Sequence, residues 1–399
     1  MIKARPIAAA VFIIVVALLL PAFGASGQGK RAQFQGLYDD LYQDLMDSAN
    51  NPDLLKGKIS PEYGDAYVYV PGLFYQRAMT EGYPVTGEEL EIADAFVKRY
   101  DDYLSAFANA PFKSLVKDFD VVMHAYIGVG GVYLAYAYRP DEELKTEVEK
   151  YLDAFEVFVK LTYPIMYYAM EPYGPTTPLA GLAAFYLQYP LTFGRDSEKS
   201  RHYENLGFKV LEKMDRHLWS EKGRKYIYDL VPGYEFTYVY SNATTVQALV
   251  RAYYLTHDEK YLERGRVIME TLHRDLFHPG YEGYLAAEDN CRYRRQYKKV
   301  GDQYNREYMP LSGNNYMAFA YLLLYEASGF EDEDMLKRAE MCIRFAEKWL
   351  WDHEGKVQHH IKRGVISPPD DYCAGCNFQL LYNIFLYQCA LEKKQILPR

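Results

Sequence analysis

Apolar positions recur at helical spacing through almost the whole chain after residue 30. Twelve helices are predicted, near 31–48, 71–81, 87–109, 119–138, 141–162, 177–192, 197–218, 242–256, 258–274, 312–328, 333–350 and 372–392. They alternate in character. The stretches at 119–138, 177–192, 242–256, 312–328 and 372–392 are apolar nearly all round, with Gly, Ala, Ser and Asn allowing close approach. Their partners at 87–109, 141–162, 197–218, 258–274 and 333–350 carry charged stripes, such as Glu142, Glu143, Lys145, Glu147, Glu149 and Lys150. A helix apolar on every side is buried, and a striped one faces solvent. The alternation therefore predicts an inner and an outer ring: an all-α fold, an (α/α)6 barrel of six hairpins, forming one domain over 26–399.

Internal repetition points the same way. TTVQALVRAYYLTHDEKYLERGRVIMETL starts at Thr244, and GNNYMAFAYLLLYEASGFEDEDMLKRAEMCIRFAEKWL starts at Gly313. Leu262, Arg264 and Gly265 fall opposite Leu336, Arg338 and Ala339, and a fainter copy begins near Val132. Such a hairpin cannot bury its apolar face alone and must stack on neighbours. Connections from inner to outer helices are short, as at Tyr138–Asp141 and Thr256–Asp258, whereas 219–241, 275–311 and 351–371 are long. A barrel of this connectivity gathers its long loops at one end, above the N-termini of the inner helices. Long loops in a compact domain are usually functional. The 275–311 loop is long enough for a short β-hairpin.

Tyrosine is the compositional outlier, with 41 residues. Inside helices it serves as a large amphipathic core residue. In the loops it suits sugars, whose C–H faces stack on aromatic rings while hydroxyls take hydrogen bonds. Tyr173, Tyr234, Tyr238 and Tyr372 are the candidate stacking residues, with Asn242, Asn314 and His360 as candidate polar contacts; Asn242 and Asn314 start inner helices, so either could cap a helix or hold a sugar hydroxyl. Glycoside chemistry needs two carboxyl groups flanking the scissile bond. The loops offer Asp118, Asp120, Glu235, Asp302, Asp370 and Asp371. Asp118, Asp120 and Asp370 also stand where helix N-caps belong. Glu235 lies between Tyr234 and Phe236, and aromatic flanks raise a carboxyl pKa as a general acid requires.

The net charge of −9 argues against nucleic acid, which needs a basic surface. There is no GxSxG, HExxH, phosphate-cradling loop or dinucleotide fingerprint, and no cofactor or metal is predicted. Five cysteines leave at least one unpaired in the monomer; Cys373 and Cys376 form one CxxC, read as structural thiols, a disulfide or half of a metal site. Lys3, Arg5, the apolar run Ile7 to Leu20 and the small-residue stretch Ala22-Phe23-Gly24 predict an export signal over 1–25. Left uncleaved, that run would instead be a membrane anchor.

The phrase from Ala252 to Arg264, AYYLTHDEKYLER, together with Ser312-Gly313-Asn314-Asn315, resembles the six-hairpin glycosidase-like superfamily. That superfamily includes unsaturated glucuronyl hydrolases and N-acylglucosamine 2-epimerases. The same stretches are similar to the C-terminal helical domain of glucuronyl C5-epimerases. The resemblance implies the toroid and an oligosaccharide or polysaccharide substrate; no catalytic motif carries over residue by residue. Three functions follow as expectations: a glycoside or unsaturated-uronide hydrolase, a uronyl C5-epimerase, or a non-catalytic toroid binding glycan or a partner.

Overall fold

The computed structural model describes residues 34–49, 66–108, 130–160, 176–227, 237–287, 308–369 and 371–399. The predicted export signal and the first half of the helix predicted at 119–138 lie outside them. The described residues form α1 (Gln35–Ala49), α2 (Ala66–Met79), α3 (Gly87–Ala108), α4 (130–138), α5 (Glu142–Lys160), α6 (Thr176–Phe193) and α7 (Glu198–His217). They continue with α8 (Val239–Thr256), α9 (Glu259–Leu276), α10 (Leu311–Ala327), α11 (Glu333–Phe345, running into a π-helical turn Ala346–Leu350) and α12 (Ala374–Leu391). Each predicted helix has its counterpart. The even-numbered helices form the inner ring and the odd-numbered ones the outer ring. The inner ring closes because α12 packs on α2 as well as on α10.

The inner helices show why they are apolar all round. Every residue of α12 from Ala374 to Ala390 is buried, and so is most of α10. Small residues set the spacing. A Cβ at Gly72 would stand 3.1 Å from the Tyr382 ring, and one at Gly207 would stand 2.7 Å from Leu187. The tyrosines fill the layer between the rings, with hydroxyls reaching outer-helix carboxylates: Tyr75 donates to Asp94, Tyr189 to Glu149, Tyr203 to Asp153 and Tyr387 to Glu340. A ring long enough to cross an apolar layer and polar at its tip explains the tyrosine content. The repeated Leu-x-Arg is also accounted for. Leu262 and Leu336 are buried, Arg338 pairs with Glu270 of the preceding outer helix at 2.6 Å, and Arg264 reaches back toward Asp215 at 3.7 Å.

Two boundaries differ from the pattern. The spacing starts a helix at Pro71, a residue suited to a first turn. Instead α2 begins at Ala66 and carries Pro71 inside it, so the carbonyl one turn back goes without its usual helix donor. At the end of α11, Trp351 N–H bonds to the Ala346 carbonyl at 2.9 Å, five residues back, which makes the last turn π-helical. No helix among the described residues is long and apolar enough to cross a membrane.

Three of the outer-to-inner connections open or close with short strands. β1 (Trp219–Ser220) pairs with β2 (Lys225–Tyr226), and β3 (Phe277–His278) with β4 (Gly283–Tyr284), the hairpin expected in the 275–311 loop. The two hairpins are equivalent, each pairing an aromatic residue with a tyrosine, Trp219 with Tyr226 and Phe277 with Tyr284. β5 (Tyr308–Pro310), β6 (His360–Lys362) and β7 (Val365–Ile366) make an antiparallel three-stranded sheet. Arg363 and Gly364, both at positive φ, form the two-residue β6–β7 turn.

Candidate functional site

A cavity runs along the barrel axis. Its walls include Val68 and Tyr69 of α2, Thr177 and Phe185 of α6, Tyr240, Thr244 and Arg251 of α8, Tyr316 and Phe319 of α10, and Tyr382 of α12. At the end where the short connections lie, the C-terminal segment closes it. Gln76 donates to the Ile396 carbonyl at 2.7 Å, and Gln188 to that of Pro398 at 3.0 Å. Buried Glu326 accepts from the N–H groups of Ile396 and Leu397, both at 3.1 Å, and pairs with Arg399 at 3.0 Å. The opposite end lies at the N-terminal turns of the inner helices.

Arg251 is the only charged residue among the described cavity-lining residues. Its Nε donates to Gln188 at 2.8 Å and its Nη1 to the Gln247 carbonyl at 2.9 Å. Burial lowers its pKa to about 10, which still leaves it cationic at neutral pH. Higher up the axis, Tyr240 and Tyr316 meet edge to face at 4.0 Å, the Tyr240 hydroxyl donating to that of Tyr316 at 3.0 Å.

Above this pair a collar of extended segments forms part of the rim. Tyr238 bridges to Ala287, Ala286 N–H bonds to the Tyr308 carbonyl at 2.9 Å, and β5 pairs with β6, where Pro310 faces His360. The collar gathers Tyr238, Tyr308, His359, His360 and Asp371. The Tyr308 and His360 rings lie 4.9 Å apart. Asp371 reaches both histidines, one oxygen 3.4 Å from His359 Nδ1 and the other 3.3 Å from His360 Nδ1. Burial, His359 and Lys362 depress the pKa of His360, against the opposing pull of Asp371. Burial pushes Tyr238 up to about 12, and burial with Tyr238 and Asp371 nearby raises Tyr308 further, so both phenols are neutral.

Of the predicted site residues, Tyr238, His360 and Asp371 come together at the rim. Tyr372 sits beside them, but its hydroxyl donates to Asp44 of α1, tying the loop to the outer ring. Glu235, Asp118, Asp120, Asp302, Asp370, Tyr173 and Tyr234 lie outside the described residues.

Asn242 and Asn314 have a different place from the expected one. Both are fully buried, and their amides are occupied by backbone. Asn242 accepts from Tyr226 N–H at 2.9 Å and donates to its carbonyl at 2.8 Å; Asn314 does the same with Tyr284 at 2.8 and 3.2 Å. Asn377 repeats the clip on Val357, both bonds at 2.9 Å. Each asparagine is the fourth residue of its inner helix and also donates to the carbonyl of the residue before that helix. They fasten each incoming strand to the helix below it, which is a positioning role and leaves sugar contact to the rim above. Cys373 and Cys376 form a disulfide at the start of α12, one of the three states open from sequence.

Reasoning from sequence missed Arg251, Tyr308 and Tyr316 as site residues. Arg251 had a readable signal, being the single charge in an otherwise uncharged helix. Tyr308 and Tyr316 had none, since tyrosine is everywhere in this chain.

No protein-family model matches the chain, and no curated protein matches it by sequence. Solved structures do match. An unsaturated glucuronyl hydrolase specific for heparin is 13% identical, with a TM-score of 0.60 over 91% of this chain and 99% of that one. A family 88 glycosyl hydrolase from Bacteroides vulgatus is 11% identical, with a TM-score of 0.55 over 86% and 97%. A sugar epimerase from a ruminal bacterium is 13% identical, with a TM-score of 0.53 over 80% and 86%. The chain has the six-hairpin glycosidase-like fold, an (α/α)6 toroid.

Proposed function

We propose that this chain is an exported carbohydrate-active enzyme that hydrolyses a glycosidic bond, with an unsaturated uronide as the preferred substrate. The observation that carries this reading is the axial cavity. Its tyrosine faces suit sugar C–H surfaces, and its one cation suits a carboxylate, to which a guanidinium gives strong paired hydrogen bonds. Solved structures of this fold include a glucuronyl hydrolase and a family 88 glycosyl hydrolase. Glu235 is the general acid in this account, with Asp118, Asp120, Asp302, Asp370 or Asp371 as its partner. Export is supported by the basic and apolar N-terminal segment and by the Cys373–Cys376 disulfide, which an oxidising compartment preserves.

Glu235→Gln tests the assignment. Turnover of an unsaturated uronyl disaccharide should fall by about 10²–10⁴, the usual worth of a general acid, while calorimetric affinity stays near wild type. Unchanged turnover removes Glu235 from the mechanism. A wild-type protein that binds the sugar and turns over nothing is a binding toroid.

A second reading, uronyl C5-epimerisation, is favoured by the rim, where the Tyr308 phenol stands near both the Tyr238 phenol and the Asp371 carboxylate. A phenol and a carboxylate are the groups that exchange of a C5 proton requires. Deuterium entering C5 from D2O without chain cleavage would select it.

A further inference from the structure

The rim groups Asp371, a carboxylate both readings can use, with two histidines that neither reading needs. His359 precedes β6 and His360 opens it, and both backbone N–H groups donate to Ser367 Oγ, at 3.0 and 3.2 Å. The chain then turns through Pro368 and Pro369, and Asp371 N–H bonds back to the Pro368 carbonyl at 2.9 Å. That turn brings the Asp371 carboxylate over both imidazoles, and the Cys373–Cys376 disulfide clips the chain immediately beyond it. One nitrogen of each histidine and one oxygen of Asp371 lie within 4.8 Å of one another.

One detail is difficult to explain without a ligand. His360 Nδ1 is buried and has no hydrogen-bond partner, although an Asp371 oxygen stands 3.3 Å away. A buried polar atom left unpaired is costly. Two electron-rich atoms facing each other at that distance need a proton or a metal cation between them. Tetrahedral zinc with bonds of about 2.0–2.1 Å separates its ligands by about 3.4 Å. Asp371 reaches that spacing with two different oxygens, Oδ1 3.4 Å from His359 Nδ1 and Oδ2 3.3 Å from His360 Nδ1, so its carboxylate spans the two imidazoles.

We propose that His359, His360 and Asp371 form a binding site for a divalent first-row transition metal, zinc above all. Two imidazoles and one carboxylate with an exposed side suit zinc and leave a coordination position open to solvent or ligand. Oxidised Cys373 and Cys376 cannot donate thiolates, so the site is a three-residue set of two imidazoles and one carboxylate. Lys362, two residues along the same strand, adds a like charge that limits affinity. With Asp371 bound to the metal, the partner of Glu235 in the hydrolase reading is Asp118, Asp120, Asp302 or Asp370.

The test uses chelator-treated, disulfide-intact full-length protein titrated calorimetrically with ZnCl2 alone, and with CoCl2 for its visible spectrum. One equivalent of zinc should bind, and cobalt should give the intense d–d bands of a four-coordinate site. His360→Ala and Asp371→Asn should each weaken zinc binding more than about a hundredfold, a larger loss than that of removing a group that only hydrogen-bonds to a ligand. Should either variant fail to fold, diethyl pyrocarbonate labelling of the wild type replaces it, with zinc shielding His359 and His360 from modification. No zinc binding, zinc binding unchanged in folded variants, or labelling unaffected by zinc would overturn the site.

Discussion

Asn314 shows how a residue that looks functional in sequence becomes structural in three dimensions. It sits in a loop-to-helix phrase at the functional end, yet its amide closes a two-bond ring on the Tyr284 backbone in a fully buried place. Leaving a buried donor or acceptor unpaired costs about 1–3 kcal/mol per group. Asn314→Ala strands both Tyr284 groups, so the variant should lose about 3 kcal/mol in urea denaturation. A loss below about 0.5 kcal/mol would mean that water or a shifted strand takes over both bonds. Sequence could not separate this role from sugar binding, because the spacing places Asn314 at the right end of the barrel without saying which way its amide turns. A better signal was present. Asn242, Asn314 and Asn377 share one position in their helices, and an asparagine repeated at equivalent turns of an array points to architecture rather than to a single asymmetric site.

At the level of elements, the first described hairpin depends on the start of α3. Thr86 and Glu89 form a capping box: Glu89 accepts from Thr86 N–H at 2.5 Å, and Thr86 Oγ1 accepts from Glu89 N–H at 3.2 Å. Glu89 also takes the Tyr42 hydroxyl and pairs with Arg77 at 2.5 Å, so three helices meet on one buried carboxylate. Burial pushes its pKa up, but the Thr86 and Tyr42 hydrogen bonds and the Arg77 charge outweigh it, and the net shift is downward. A carboxyl group with a lowered folded pKa stabilises above its unfolded pKa, about 4.3, and loses that contribution as pH falls through the folded value. Glu89→Gln should therefore cost about 2 kcal/mol at pH 7, and the difference from wild type should shrink as pH drops below about 4. A gap independent of pH between 3 and 7 would mean that the carboxylate charge contributes nothing. The elements themselves were largely legible, because burial on every side and burial on one side leave different patterns of charge. Pro71 was the exception. Proline is a sound marker of a first turn, but here the surrounding inner-ring packing carries α2 back to Ala66.

The whole molecule is a toroid with unequal ends. At one end Glu326, Gln76 and Gln188 hold the C-terminal segment across the axis. At the other, the asparagine clips and the Tyr238–Ala287–Tyr308–His360 collar fix a rim above the Tyr240–Tyr316 pair. Connectivity alone predicts this asymmetry, since every outer-to-inner connection must emerge on one face. It does not predict Arg251 halfway down the axis, because the buried ring there tolerates a charge only where Gln188 and the Gln247 carbonyl accept its hydrogen bonds. Nor does it reveal that the other face is sealed by the chain's own end.

Entry of an acidic sugar into the axial cavity through the rim can be seen in a crystal structure soaked with unsaturated uronyl and neutral disaccharides. Density for the acidic sugar should lie inside the inner ring, its ring against Tyr240 or Tyr316 and its carboxylate within about 3 Å of the Arg251 guanidinium. The neutral sugar should be weaker or absent. Acidic sugar bound at the outer surface, or at the C-terminal end beside Arg399, with the axis left empty, would contradict the account.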